Sequence, residues 1–169
     1  MENPKDEELL CITSPITLEE EEFTVEKTAK PIIFNKIEER AENGKLIAEK
    51  IKEMKEFEKE KGIELKNNSF KDSYEELRDS DVEKHKKLLE EVYSLRKRDR
   101  LLLYAIPSMI LTPVGKIPSA YKNKMEYISD FIESEEVFNK ILDFFYKHCD
   151  FTTPYRSEGV TVKTRKLNN

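Results

Sequence analysis

The sequence predicts a mainly α-helical fold: a small irregular helical bundle with extended, charged N- and C-terminal tails. Three observations carry that reading. Glycine supplies four of the 169 residues, whereas 38% are Asp, Glu, Lys or Arg. Phosphate-binding loops depend on glycine for tight turns and close backbone approach, while Glu and Lys favour helices with a solvated face. Apolar residues also recur at spacings of three and four in several stretches, which aligns them along one side of a helix. Prolines and the pair Asn43-Gly44 then divide the pattern into short elements.

Charge is unevenly spread. Residues 1–22 carry eight acids against Lys5, a local charge of −7, which leaves +2 for the remainder of a chain whose net charge is −5. The basic excess lies between Lys84 and Arg100 and in the C-terminal tail with Arg156, Lys163, Arg165 and Lys166. Two cysteines at opposite ends, Cys11 and Cys149, with no apolar leader before the first, give no sign of a disulfide scaffold. The longest apolar run, Leu101 to Leu111, contains Pro107 and is too short to cross a bilayer. An intracellular location, cytoplasm or nucleus, without membrane association is expected.

Residues 1–30 are acidic, lack helical periodicity and contain Pro4 and Pro15, so a tail without fixed structure is expected. Pro31 suits the first position of a helix running to Glu42 and ended by Asn43-Gly44. Lys45 to Lys61 is the cleanest helical pattern, with Ile47, Ile51, Met54 and Phe57 on one stripe and Gly62 as its stop. Asn67-Asn68-Ser69 reads as a loop, followed by a short helix through Phe70, Tyr74 and Leu77. Ser80-Asp81-Val82-Glu83 fits a capping box that starts a helix near residue 81. Leu88, Leu89, Val92, Leu95, Leu102 and Ile106 continue its apolar face, and Pro107 is expected to end it near Ala105.

Met109 to Ile117 reads as an ordered buried loop with a short extended segment. Pro118 is placed to open a helix with Tyr121, Met125, Ile128 and Ile132 as its stripe. Ser134 is a candidate N-cap, because two acids behind it suit the helix dipole, and Val137 to His148 buries Phe138, Ile141, Leu142 and Phe145. Val160 to Val162 has weak strand character. The expected organisation is an acidic tail (1–30), amphipathic helices (31–78), a compact helical core (79–151) and a basic tail (152–169).

No chemical motif rises above these features. Cys11, His85, His148 and Cys149 are the only soft-metal ligands, and none has the spacing of a zinc site. Adjacent residues on a helix point about 100° apart, so His148 does not readily activate Cys149. There is no Glu-x-x-His pair for a carboxylate-bridged metal bundle. Val114-Gly115-Lys116 lacks the first glycine and the following Ser or Thr of a phosphate loop. No catalytic residue, cofactor or metal is expected.

Binding residues remain. Arg96, Lys97, Arg98 and Arg100 form a basic cluster fit for phosphate or an acidic partner, with a second cluster from Lys163 to Lys166. Most cations in such positions form a solvated face. Leu9-Leu10-Cys11-Ile12, flanked by Asp6-Glu7-Glu8 and Thr13-Ser14-Pro15, is a β-prone run suited to adding a strand to a partner's sheet, or to docking on the chain's own bundle. In those four residues it resembles the acid-flanked apolar motifs that bind SUMO. Ser14, Thr112 and Thr153 each precede proline, and phosphate on Ser14 would add about −1.5 to −2 charge beside the acidic run. The sequence reading is a non-catalytic helical adaptor or structural subunit of a protein complex. Its partner-facing residues are Ile47, Ile51, Met54 and Phe57 together with Leu9, Leu10 and Ile12. The alternative is a nucleic-acid-associated factor using residues 96–100 and 163–166.

Overall fold

The computed structural model describes residues 13–28 and 30–150, together with the backbone of 156–157 and 160–161. The protein is mainly α-helical. In chain order the elements are β1 (Thr13–Leu18), β2 (Glu21–Glu26), α1 (Pro31–Lys61), α2 (Lys71–Tyr74), α3 (Asp79–Ile110), β3 (Leu111–Pro113), α4 (Lys124–Ser129), α5 (Glu135–His148), β4 (Arg156–Ser157) and β5 (Val160–Thr161). Two compact units result. One takes residues up to 38 and from 102 onward, and the other is residues 39–101. The long helices α1 and α3 each contribute to both.

In the first unit, β1, β2 and β3 form an antiparallel sheet in that order, with Ile16 opposite Phe23 and Val25 opposite Leu111. This corrects the expectation of a structureless stretch over residues 13–26. Ile16 and Leu18 on β1, and Phe23 and Val25 on β2, alternate with outward neighbours and are buried. Each such side chain contributes about 1.5–3 kcal/mol, enough to order a hairpin that has a core to sit on. Its turn disguises it. Glu19 and Glu20 hold φ of 46° and 69°, the geometry of a two-residue type I′ turn, without the Asn or Gly that normally announces one.

Around the sheet pack Ile33 of α1, Ile106 and Ile110 of α3, Ile128 of α4, and Phe138, Ile141 and Phe145 of α5. The Phe23 ring meets Phe131 edge-on at 5.2 Å, and Phe34 lies 5.7 Å from Phe145. At the far end of α5 the Asp150 amide donates to the Lys27 carbonyl at 2.7 Å, tying the helix exit to the end of β2. α3 does not stop before Pro107; it runs to Ile110 with Pro107 fully buried inside it. Leu102, Ile106 and Ile110 recur every four residues, and burying that stripe outweighs the hydrogen bond that proline forgoes. β3 follows without a loop.

The short helix α4 is shorter than the sequence suggested. Residues 118–123 turn, and Asn123 rather than Pro118 caps it, accepting from the Glu126 amide at 2.8 Å while Glu126 accepts from the Lys122 amide. Met125, expected on its buried stripe, is 40% exposed. Ser134 does cap α5 through the Val137 amide, and of the four residues expected to be buried Phe138, Ile141 and Phe145 are, while Leu142 is half-buried. β4 and β5 pair as a two-stranded antiparallel ribbon.

In the second unit, α1 passes through Asn43-Gly44 without a break, where the sequence suggested a boundary. Asn43 is buried, and its Nδ2 donates to the Leu95 carbonyl of α3 at 2.9 Å, so the side chain serves the helix packing instead of a turn. Gly62 ends α1 with φ of 66°, and the Ile63 amide reaches back to the Glu58 carbonyl in a Schellman-type closure. Asn67 and Asn68, both at positive φ, make a tight turn across which Lys66 and Ser69 exchange two backbone bonds of 2.9 Å. α3 begins at Asp79, with the Arg78 carbonyl accepting from the Asp81 and Val82 amides. Ser80 therefore sits inside the first turn and not at its cap. The division of the chain also differs from the expected one: residues 79–101 leave the anticipated core, and 13–38 join it.

Candidate functional site

Within residues 39–101, α1 and α3 run antiparallel and are joined by polar contacts at successive turns. Arg98 donates to Glu39 at 2.9 Å, Arg40 meets Asp99 at 3.1 Å, Asn43 meets Leu95, and Lys50 bridges Glu53 and Glu91 at 2.9 Å. From the Glu39–Arg98 and Arg40–Asp99 pairs through Asn43 to Lys50, α1 runs toward its C-terminus as α3 runs back from residues 98 and 99 through Leu95 to Glu91. The Lys50 hydrogen bond is the main influence on Glu91, holding its carboxyl below the ordinary range.

The series passes through His85, which is completely buried, and closes where Lys61 meets Asp81 at 3.4 Å. The His85 Nε2 lies 2.9 Å from Glu58 Oε1 on α1, and its Nδ1 lies 2.7 Å from the hydroxyl of Tyr74 on α2. With its proton on Nε2 the ring donates to Glu58 and accepts from Tyr74, so both nitrogens are satisfied. Burial first, and the Glu58 charge second, push the Tyr74 phenol up, which keeps it a donor. Phe70 meets the imidazole edge-on at 4.8 Å, Phe57 stacks at 6.4 Å, and the Lys84 ammonium lies 4.6 Å from the Phe57 ring. Carboxylate, imidazole and hydroxyl in that order can activate a nucleophile where the hydroxyl meets substrate. The three groups join α1, α2 and α3.

The aromatic cluster around His85 consists of Phe57, Ile63 and Leu88 with Met54, Phe70, Tyr74 and Leu77 against it. That places two residues of the expected partner-facing stripe in the chain's own core. Phe57 is buried and Met54 packs on the cluster, whereas Ile47 and Ile51 are half-buried. The covering surface comes from residues 63–88, folded back against α1. Leu9, Leu10 and Ile12 lie outside the described residues, as does the 163–166 cluster.

The basic cluster on α3 resolves into two kinds of residue. Arg98 is spent on Glu39, while Arg96, Lys97 and Arg100 are exposed and meet no acid among the described residues. Tyr93, one turn earlier on the same face, is 70% exposed, and Leu101 is 56% exposed. An open groove beside this face is lined by Leu46 and Lys50 of α1 and by Lys87, Glu90, Glu91, Ser94 and Leu95 of α3. Other open grooves run along α5 past Val137, Lys140 and Phe144, and along α1 past Ala48, Ile51 and Lys55.

The remaining candidates fall elsewhere. Cys149 ends α5 and is buried; burial, then the Asp150 and Glu26 charges, raise its thiol to about 11, which disfavours the reactive thiolate. His148 packs on Phe144 at 4.3 Å. Among the described residues no group of three His, Cys, Asp or Glu is set to hold a metal ion, and no helix is long and apolar enough to cross a membrane. Comparison with protein-family models, curated proteins and solved structures finds no match to the chain. The sequence reading missed Tyr93, Glu58 and Tyr74. Tyr93 was legible as an aromatic three, four and seven residues before Arg96, Lys97 and Arg100; the His85 partners lie 27 and 11 residues away and had no local signal.

Proposed function

We propose that the protein is a non-catalytic helical adaptor or structural subunit of a protein complex, binding through its amphipathic helices and the acidic segment around Leu9 to Ile12. One observation carries the reading. In residues 39–101 Arg98, Arg40, Asn43 and Lys50 make polar contacts between α1 and α3 along the helix seam, while Leu46, Leu65, Tyr93 and Leu101 stand outward as large apolar side chains. Polar chemistry is thus committed to holding a helix pair together, and the apolar surface is turned out, where a partner reaches it.

Affinity purification of the tagged chain, with and without nuclease, followed by mass spectrometry tests this. A stoichiometric protein partner that survives nuclease is the expected result. Partners that vanish with nuclease, or recovery of nucleic acid alone, would transfer the function to the basic residues as a nucleic-acid contact.

A further inference from the structure

The exposed face of α3 deserves a specific occupant. Helical spacing puts Tyr93, Arg96, Lys97 and Arg100 at i, i+3, i+4 and i+7, on one exposed side of the helix, with Arg96 at its edge one turn after the buried Val92. The four span about 10 Å along the axis. Arg98 differs by its ion pair with Glu39. Three cations that meet no acid among the described residues lie next to a 70% exposed tyrosine and a 56% exposed leucine, and tyrosine and arginine are residue types enriched at binding hot spots.

We propose that this face is a docking site for a short acidic protein segment, with carboxylates or phosphates set against Arg96, Lys97 and Arg100 and separate apolar side chains of the segment set against Tyr93 and against Leu101. The inference rests on the adaptor reading and names the chemistry of one partner. Charge complementarity selects the occupant. A nucleic-acid backbone following this face from Lys86 to Arg100 would have to pass the exposed Glu90, one turn before Tyr93, on a chain whose net charge is −5. A footprint of about 10 Å matches roughly three extended residues or two helical turns of a partner segment. The neighbouring apolar lip, Leu46, is 46% exposed and suits an amphipathic segment better than a polyanion.

The test uses the full chain and two fluorescent probes, a synthetic peptide of glutamates interspersed with leucine and phenylalanine, and a uridine-only RNA oligonucleotide. Binding is followed by anisotropy at low and at physiological ionic strength. The peptide is expected to bind, more weakly as salt is added, and Arg96→Glu/Arg100→Glu is expected to weaken it by about tenfold or more. Tyr93→Ala should weaken it severalfold. The matched exposed pair Lys55→Glu/Lys59→Glu should stay within about twofold. Circular dichroism of each variant confirms that the fold is kept. Absence of peptide binding at low salt, indifference to the α3 substitutions, or preference for the RNA would each overturn the assignment. The same variants in the affinity purification separate the two claims. A partner retained by Arg96→Glu/Arg100→Glu overturns this site and leaves the adaptor reading intact. Peptide binding with no partner recovered by the wild type overturns the adaptor reading alone.

Discussion

His85 shows how much one side chain can fix when both of its nitrogens are used. Tyr74→Phe keeps the ring volume but leaves Nδ1 buried without a donor, which is expected to cost about 1–3 kcal/mol, read as a lower urea midpoint with an unchanged slope. If the midpoint does not move, the bond to Tyr74 contributes nothing. A second residue-level prediction concerns pH. Burial alone would raise the Glu26 carboxyl, but hydrogen bonds from Lys30 and from the Thr28 amide overcome it and leave the group below its ordinary value. A depressed carboxyl stabilises the fold above its unfolded value and loses that contribution as pH falls through its folded one. Glu26→Gln should therefore lower Tm at neutral pH and lose its effect in acid below the folded carboxyl. Equal destabilisation at both ends would assign the loss to packing.

At the scale of elements, the two glycines bounding the middle of α1 make opposite predictions. Gly44 lies in the helix interior, exposed, with nothing within 4 Å of where a Cβ would stand. Gly44→Ala should stabilise the protein by about 0.5–1 kcal/mol. Gly62 has equal space but φ of 66°, so Gly62→Ala should destabilise by about 1–2 kcal/mol despite touching nothing. Denaturant titration of the pair separates backbone conformation from crowding. The β1–β2 turn gives a third case. Glu19 and Glu20 adopt positive φ with poor residues for it, and the Glu133 charge raises the Glu19 carboxyl further. Glu19→Asn with Glu20→Gly should raise Tm, since the turn geometry would then match its residues; a fall would mean that the glutamates make contacts that offset the strain.

For the molecule as a whole, the hairpin decides whether the first unit has a core. Phe23 is fully buried against Tyr127 and Phe131, so Phe23→Ala should cost about 3–5 kcal/mol. Deleting residues 13–26 uncovers Leu111 and Ile110 and should abolish cooperative unfolding of that unit, read as lost near-ultraviolet dichroism of its aromatic residues. Native behaviour after the deletion would return the segment to the status of a tail.

The sequence by itself determined the mainly helical class, the Gly62 stop, the Ser134 cap and the buried stripe of α5, because each depends on residues within a few positions of one another. It also marked Arg96 to Arg100 as cationic. Even the hairpin left a trace, in the alternation of Ile16, Leu18, Phe23 and Val25, although the turn lacked its usual residues. Tertiary structure decided the rest. Only packing against Leu95 carries α1 through Asn43-Gly44, and only burial of Ile106 and Ile110 carries α3 through Pro107. The same long-range contacts turned Met54 and Phe57 inward, paired Arg98 with Glu39, and left Tyr93, Arg96, Lys97 and Arg100 outside. Local propensities are worth about 1 kcal/mol at a position, whereas burying a large side chain is worth about 1.5–3, so wherever the two conflict the distant contact prevails.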